Sequence, residues 1–302
     1  MLSASFNIGV ERFTIDELTG RNEIPFSSGW SGDVKGVDDY RIAVGSEVGL
    51  MYGWVTEGFY FVDDFSDYDE AAGEYLLKDG VPSSELTANR PGSLKLADMN
   101  DDGIVDLNVR TIIGHANPKH YGGFGINSMY KGLDISLYFN WKYDYDVYNT
   151  SQIEFTNSNR DIWGNLLNRM RYDNRFKYIN ESGELVTDLD GLAELNKDAK
   201  VWSPFSAGES VLVTHSDAIE DASYLRLNNI TLGYSLPNRW ASKSGMETFR
   251  VYFTVFNAWT WTNYRGFDPE VSTRPGEIAT PNLDYSAYPR SRSFTLGVNV
   301  TF

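Results

Sequence analysis

Residues 133–145 read Leu133, Asp134, Ile135, Ser136, Leu137, Tyr138, Phe139, Asn140, Trp141, Lys142, Tyr143, Asp144, Tyr145. Leu133, Ile135, Leu137, Phe139, Trp141, Tyr143 and Tyr145 share one parity; Asp134, Ser136, Tyr138, Asn140, Lys142 and Asp144 share the other. Successive side chains of a strand point to opposite faces, so this period of two predicts one strand with a greasy and a polar side. Soluble strands usually stop near ~5–6 residues, whereas crossing a bilayer at a tilt takes ~9–11. This stretch is long enough to cross.

Outward from it, the same texture recurs at residues 2–10, 121–131, 224–236, 249–261 and 294–302, with a less regular stretch at 41–55, about seven strands in all. Within 224–236 the phase changes after Leu227, which predicts a bulge at Asn228-Asn229. Lys131-Gly132 marks a tight hairpin, and about ten residues follow Leu236-Pro237 before the next strand. Other links run to about 65 and 75 residues, and this alternation of short and long matches an outer-membrane barrel with short turns and long external loops. The link over residues 14–40 falls on the short side of that pattern yet is about 27 residues long. Trp141, Tyr143 and Tyr145 cluster at one end of their strand and Trp259 and Trp261 at the matching end of another, as interfacial girdles do. The same aromatics would equally fill the core of a soluble sandwich. Phe302 ends the last alternating strand and is expected to act as an assembly signal, which favours the barrel.

Composition narrows the function. Among 302 residues there are 42 acidic and 26 basic side chains, a net charge of −16, and no cysteine. Phosphate backbones need a basic face, so no nucleic acid is expected as partner. Thiolate metal sites, disulfides and cysteine nucleophiles are excluded. The opening residues carry no basic leader and no apolar segment, which leaves a cytoplasmic protein or a piece of a longer chain as the expectations.

Four motif groups carry a family resemblance. Residues 98–106 (DMNDDGIVD) lead into 110–114 (RTIIG), followed by 117–119 (NPK) and 130–136 (YKGLDIS); then come 221–237 (DASYLRLNNITLGYSLP), and finally 264–271 (YRGFDPEV) with 288–290 (YPR) and the closing strand. In this order they resemble the C-terminal part of the SusC/RagA family of TonB-linked outer-membrane receptors. The resemblance implies an all-β fold, an antiparallel up-and-down transmembrane β-barrel segment with long extracellular loops, in which residues 1–302 are one incomplete piece. The signal peptide, plug and early strands would lie outside it. About seven strands leave two open edges, which lipid does not tolerate, and bacterial barrels hold even strand numbers. The family implies the cell outer membrane as location and uptake of oligosaccharides or peptides as the task. Outer-membrane lipid surrounds such a barrel, a SusD-like surface lipoprotein caps it, and the TonB complex drives it through the plug. The alternative is a soluble, calcium-stabilised β-sandwich that binds glycans.

Candidate sites follow. Asp98, Asn100, Asp102, Ile104 (by its carbonyl) and Asp106 have the spacing of a Ca²⁺ loop, with Gly103 at the turn. Position twelve is Val109, where the family usually has an acid, and an Asx-rich turn without metal is the competing reading. The acidic run over 63–74 reads as a solvated loop, and His115, His120 and His215 lack metal-ligand spacing. Neither a Gly-x-Ser-x-Gly elbow nor a phosphate-binding glycine loop is present, so no enzyme is expected. If Leu133 and its parity face lipid, Tyr138, Tyr252 and Phe256 face the lumen and are candidate substrate contacts; Trp163, Trp202 and Tyr264 lie in the long loops.

Overall fold

A computed structural model describes residues 1–30, 34–35, 38–158, 164–205, 212–285 and 287–302. Six strands form one antiparallel sheet in chain order: β1 (Leu2–Gly9), β2 (His120–Tyr130), β3 (Leu133–Tyr143), β4 (Tyr224–Ser235), β5 (Thr248–Thr262) and β6 (Ser293–Thr301). Every strand pairs with its sequence neighbour, and the sheet stays open at β1 and β6. This is an up-and-down β-barrel segment.

The wall therefore holds six of the predicted strands. Residues 41–55 fall elsewhere: Tyr40–Ala43 and Leu50–Gly53 join Glu23–Phe26 and Thr111–His115 in a separate four-stranded sheet. Gly45 (φ 80°) and Gly49 (φ 84°) turn the chain between the two short strands, so no crossing strand can run through them. The anomalous 27-residue link disappears with this correction. Only one long connection joins β1 to β2, and short and long links then alternate strictly.

Register lines up the apolar parity across the sheet. Ala4, Ile126, Leu137, Ile230, Val255 and Phe294 form one row, and Leu2, Ser128, Ile135, Leu232, Phe253 and Leu296 the next. Five such rows at ~6.7 Å per residue pair occupy about 33 Å of strand, or about 25 Å of membrane normal after a ~40° tilt. That is the height of an outer-membrane apolar band. Leu2 (74% exposed), Phe6 (68%), Phe294 (64%) and Leu296 (74%) lie open on this face. The greasy sides do not meet across a dry interior, which excludes the sandwich. An apolar face of this extent far exceeds the few hundred Å² that soluble monomers leave open.

Local chemistry sets the register. Lys131 (φ 50°) and Gly132 (φ 86°) both adopt left-handed conformations, as a type I′ turn requires, and join β2 to β3. Asn228 is the extra residue of β4 opposite Tyr138 and Phe139, the predicted bulge. At the loop end Phe6 stacks on Trp141 (5.5 Å), whose Nε1 donates to His120 Nδ1 at 3.0 Å. Tyr145 departs from the expected girdle. Strand β3 ends at Tyr143, Asp144 turns with φ 57°, and Tyr145 is carried into the loop core, 2% exposed.

The packed core lies in the long connections, all of which leave the same end of the wall. Trp30, Tyr40, Met51 and Ala116 of the first pack with Tyr148, Ile153, Leu212 and Ala218 of the second and Leu283 of the third. Polar atoms of its aromatics are satisfied: Trp30 Nε1 donates to Tyr148 Oη (3.1 Å) and Tyr40 Oη to the Pro281 carbonyl (2.7 Å). Burying each large side chain contributes roughly 1.5–3 kcal/mol, so the loops hold together as one body.

Candidate functional site

The opposite face of the sheet is polar. Ser3, Asn127, Ser136, Thr231, Thr254 and Thr295 make one row of it, and Thr231 and Thr254 hydrogen-bond at 2.9 Å. Arg250 on β5 reaches across to Asp134 on β3 at 2.6 Å and 3.1 Å, passing over Gly233. A Cβ at Gly233 would sit 2.5 Å from the guanidinium. Glycine is what lets the pair close over the backbone.

Of the three lumenal aromatics, two come together. Tyr138 and Phe256 share one cross-strand row with Asn229 between them, and both are exposed (43% and 39%). Tyr252 stands apart, four residues along β5 from Phe256. Each tyrosine also has a structural task. Tyr138 Oη would be 3.0 Å from a Cβ at Gly123, and the Tyr252 ring 2.2 Å from one at Gly297, so both rings lie flat over neighbouring glycines.

The loop end of this face carries a network that sequence reading did not find. Arg226 of β4, 2% exposed, donates to Asp268 at 2.6 Å, Glu270 at 2.8 Å and Thr260 Oγ1 at 3.0 Å. Arg290 closes the group at 3.2 Å from Asp268 and 3.0 Å from Glu270. The third long connection is thus tied to the wall through a buried charge. A charged residue in a strand that is otherwise uncharged at its alternate positions, with two acids in a short Asp-Pro-Glu loop, was the available signal.

The other candidates are placed as follows. Asp98 accepts from the backbone N–H of Asn100 (3.3 Å) and Gly103 (2.8 Å), Asp102 from Ile104 N–H (2.9 Å) and Asn100 Nδ2 (2.8 Å), and Asp106 from Asn108. Ile104 is exposed, and Val109, at the twelfth position, is buried against Trp54 and Val105. The carboxylates serve their own turn, and among the described residues no group of three acidic or imidazole side chains converges on a metal position. The acidic run forms a surface hairpin, Phe65–Asp69 with Glu74–Leu77, whose turn is capped by Asp69. His115 Nδ1 lies 3.0 Å from Asp146, which raises its pKa, whereas His215 is buried against Trp202 and pushed down to about 4 by desolvation. Trp202 and Tyr264 belong to two separate loop cores. Phe302 follows β6 and is exposed, and Trp163 falls outside the described residues.

The geometry so far is that of a barrel wall with elaborated connections at one end. TonB-dependent receptor P3 of Formosa agariphila is 27% identical over 262 residues, which are 85% of this chain and 22% of the relative. TonB-dependent receptor SusC of Bacteroides thetaiotaomicron is 40% identical over 85 residues, 28% of this chain and 8% of SusC. Along most of its length the chain is similar to the TonB-dependent receptors. Among solved structures, that of the RagAB peptide transporter superposes on all of this chain and on 27% of its own, with a TM-score of 0.64 at 21% identity, which supports the fold. No family model matches the chain. The chain spans about a fifth of the length of P3. The relatives are receptors and transporters, not enzymes.

Proposed function

We propose that the chain is the C-terminal barrel segment of an outer-membrane TonB-dependent importer, supplying wall, lumen lining and extracellular loops. The continuous apolar rows on one face, backed by polar rows on the other, carry this reading. Oligosaccharides are the proposed cargo, with Tyr138, Tyr252 and Phe256 along the lumenal path. A SusD-like lipoprotein would sit on the loop assembly, and the TonB complex would act through a plug domain outside these residues. Peptides are the second reading, because a neighbour in fold is a peptide transporter. The test is heat-modifiable migration of the full-length receptor from a detergent-extracted outer-membrane fraction. Extraction without detergent, with no heat-dependent shift, would overturn the reading.

A further inference from the structure

A cleft of about 1510 Å³ opens between the first and second long connections. Small-molecule sites occupy ~300–1,000 Å³, so this one has room for several units of an oligomer. Its lining is unusual for a chain of net charge −16: among the described residues it contains Arg90, Arg175 and Lys177 but a single carboxylate, Glu74. Among the described residues none of the three cations is in an ion pair. Each is instead held over an aromatic face: Arg90 over Tyr178 at 4.4 Å, Arg175 over Phe205 at 5.1 Å, and Lys177 over Tyr172 at 4.8 Å. An aromatic ring orients a cation without neutralising it, which leaves the positive charge free to attract an anion. Arg90 Nε is enclosed and has no hydrogen-bond partner. The floor is fixed by buried Phe176, packed edge-on to Phe59 at 6.0 Å and so close to Gly92 that a Cβ there would lie 2.3 Å from its ring.

We infer that this cleft is a binding site for an acidic oligosaccharide, a chain of sugar rings bearing carboxylate or sulfate groups. The inference rests on the reading of the long connections as surface loops and names a ligand class for them. Half-exposed Tyr172 and Phe205 (49% and 50%) at the cleft offer apolar surface to the C–H faces of sugar rings, while the guanidinium groups match planar or tetrahedral oxyanions. Attraction of this kind is screened by salt.

The experiment is calorimetric titration of the detergent-solubilised full-length receptor, with heat-modifiable migration confirming a folded barrel in every sample. The probes are hexagalacturonate, a sulfated galactan hexamer, maltohexaose and hexaglutamate. Binding of either acidic saccharide, at least about tenfold tighter than maltohexaose and weakened about tenfold or more between low and high salt, is expected; which of the two binds tells carboxylate from sulfate. Arg175→Gln with Lys177→Gln should weaken that binding about tenfold or more while heat-modifiable migration is retained. Should the double variant misfold, Tyr172→Ala alone should weaken the same binding. Equal affinity for maltohexaose, preference for hexaglutamate, or no binding by a correctly folded barrel would overturn the inference. Loss of heat-modifiable migration in the unaltered receptor would instead overturn the importer reading.

Discussion

Arg226 of β4 donates to Asp268 of the third long connection at 2.6 Å, with the arginine side chain 3% exposed and the aspartate 11%. Two of the sequence motifs, 221–237 and 264–271, meet at this contact. Breaking a buried pair leaves an uncompensated charge, at a typical cost of ~3–5 kcal/mol. Arg226→Ala should therefore release the segment over 263–292, read as faster limited proteolysis there, whereas Arg226→Ala with Asp268→Asn and Glu270→Gln should recover part of the loss. Unchanged proteolysis in the single variant would contradict this role.

His215 gives the loop assembly a pH dependence. Desolvation lowers its pKa from 6.5 to about 4 in the folded state. Below pH 6.5 the unfolded chain binds a proton that the folded chain refuses, so this contribution to stability is full above 6.5 and is lost as the pH falls toward 4. The total is roughly 3 kcal/mol. Thermal midpoints between pH 7.5 and 4 should drop more steeply for the unaltered receptor than for His215→Gln, which does not titrate. Parallel curves would refute the assignment.

Gly297 and Tyr252 form a fitted pair on the lumenal face. A methyl at Gly297 would lie 2.2 Å from the ring, so Gly297→Ala should cost about 1–3 kcal/mol through overpacking. The temperature of the heat-modification transition should fall accordingly. Tyr252→Ala in the Gly297→Ala background should restore part of it by vacating the space. Additive losses would show that the ring and the glycine do not share that volume.

The carboxylates of the 98–106 turn are hydrogen-bonded within the turn, and Val109 is buried where the twelfth ligand of a calcium loop would stand. Millimolar calcium or EGTA should leave the melting temperature of the receptor within about 1 °C, since a ligand stabilises only by binding the native state. A rise of several degrees that is abolished by Asp98→Asn and Asp102→Asn would contradict the self-satisfied turn.

Wall strands were legible because period-two alternation is a property of neighbouring residues. The hairpin at Lys131-Gly132 and the bulge at Asn228 were read from the same local signals. Residues 41–55 alternate loosely, but Gly45 and Gly49 at positive φ make them a pair of short strands. Tyr145 has girdle parity in sequence and loses it at Asp144. The core of the loops was illegible: Tyr40 bonds to Pro281, 241 residues away, and such pairs leave no period to read. Arg90 and Arg175 line one cleft although 85 positions apart, so no run of basic residues announced it.

The direct test of the account is which parity of these strands meets lipid. Because this segment contains no cysteine, single cysteines at Ile230, Thr231, Leu232, Phe253, Thr254 and Val255 can be spin-labelled in the full-length receptor reconstituted into vesicles. Labels at Ile230, Leu232, Phe253 and Val255 should be relaxed by dissolved oxygen, and those at Thr231 and Thr254 by a water-soluble nickel complex. Accessibility without alternation, or with the two parities exchanged, would contradict the membrane wall.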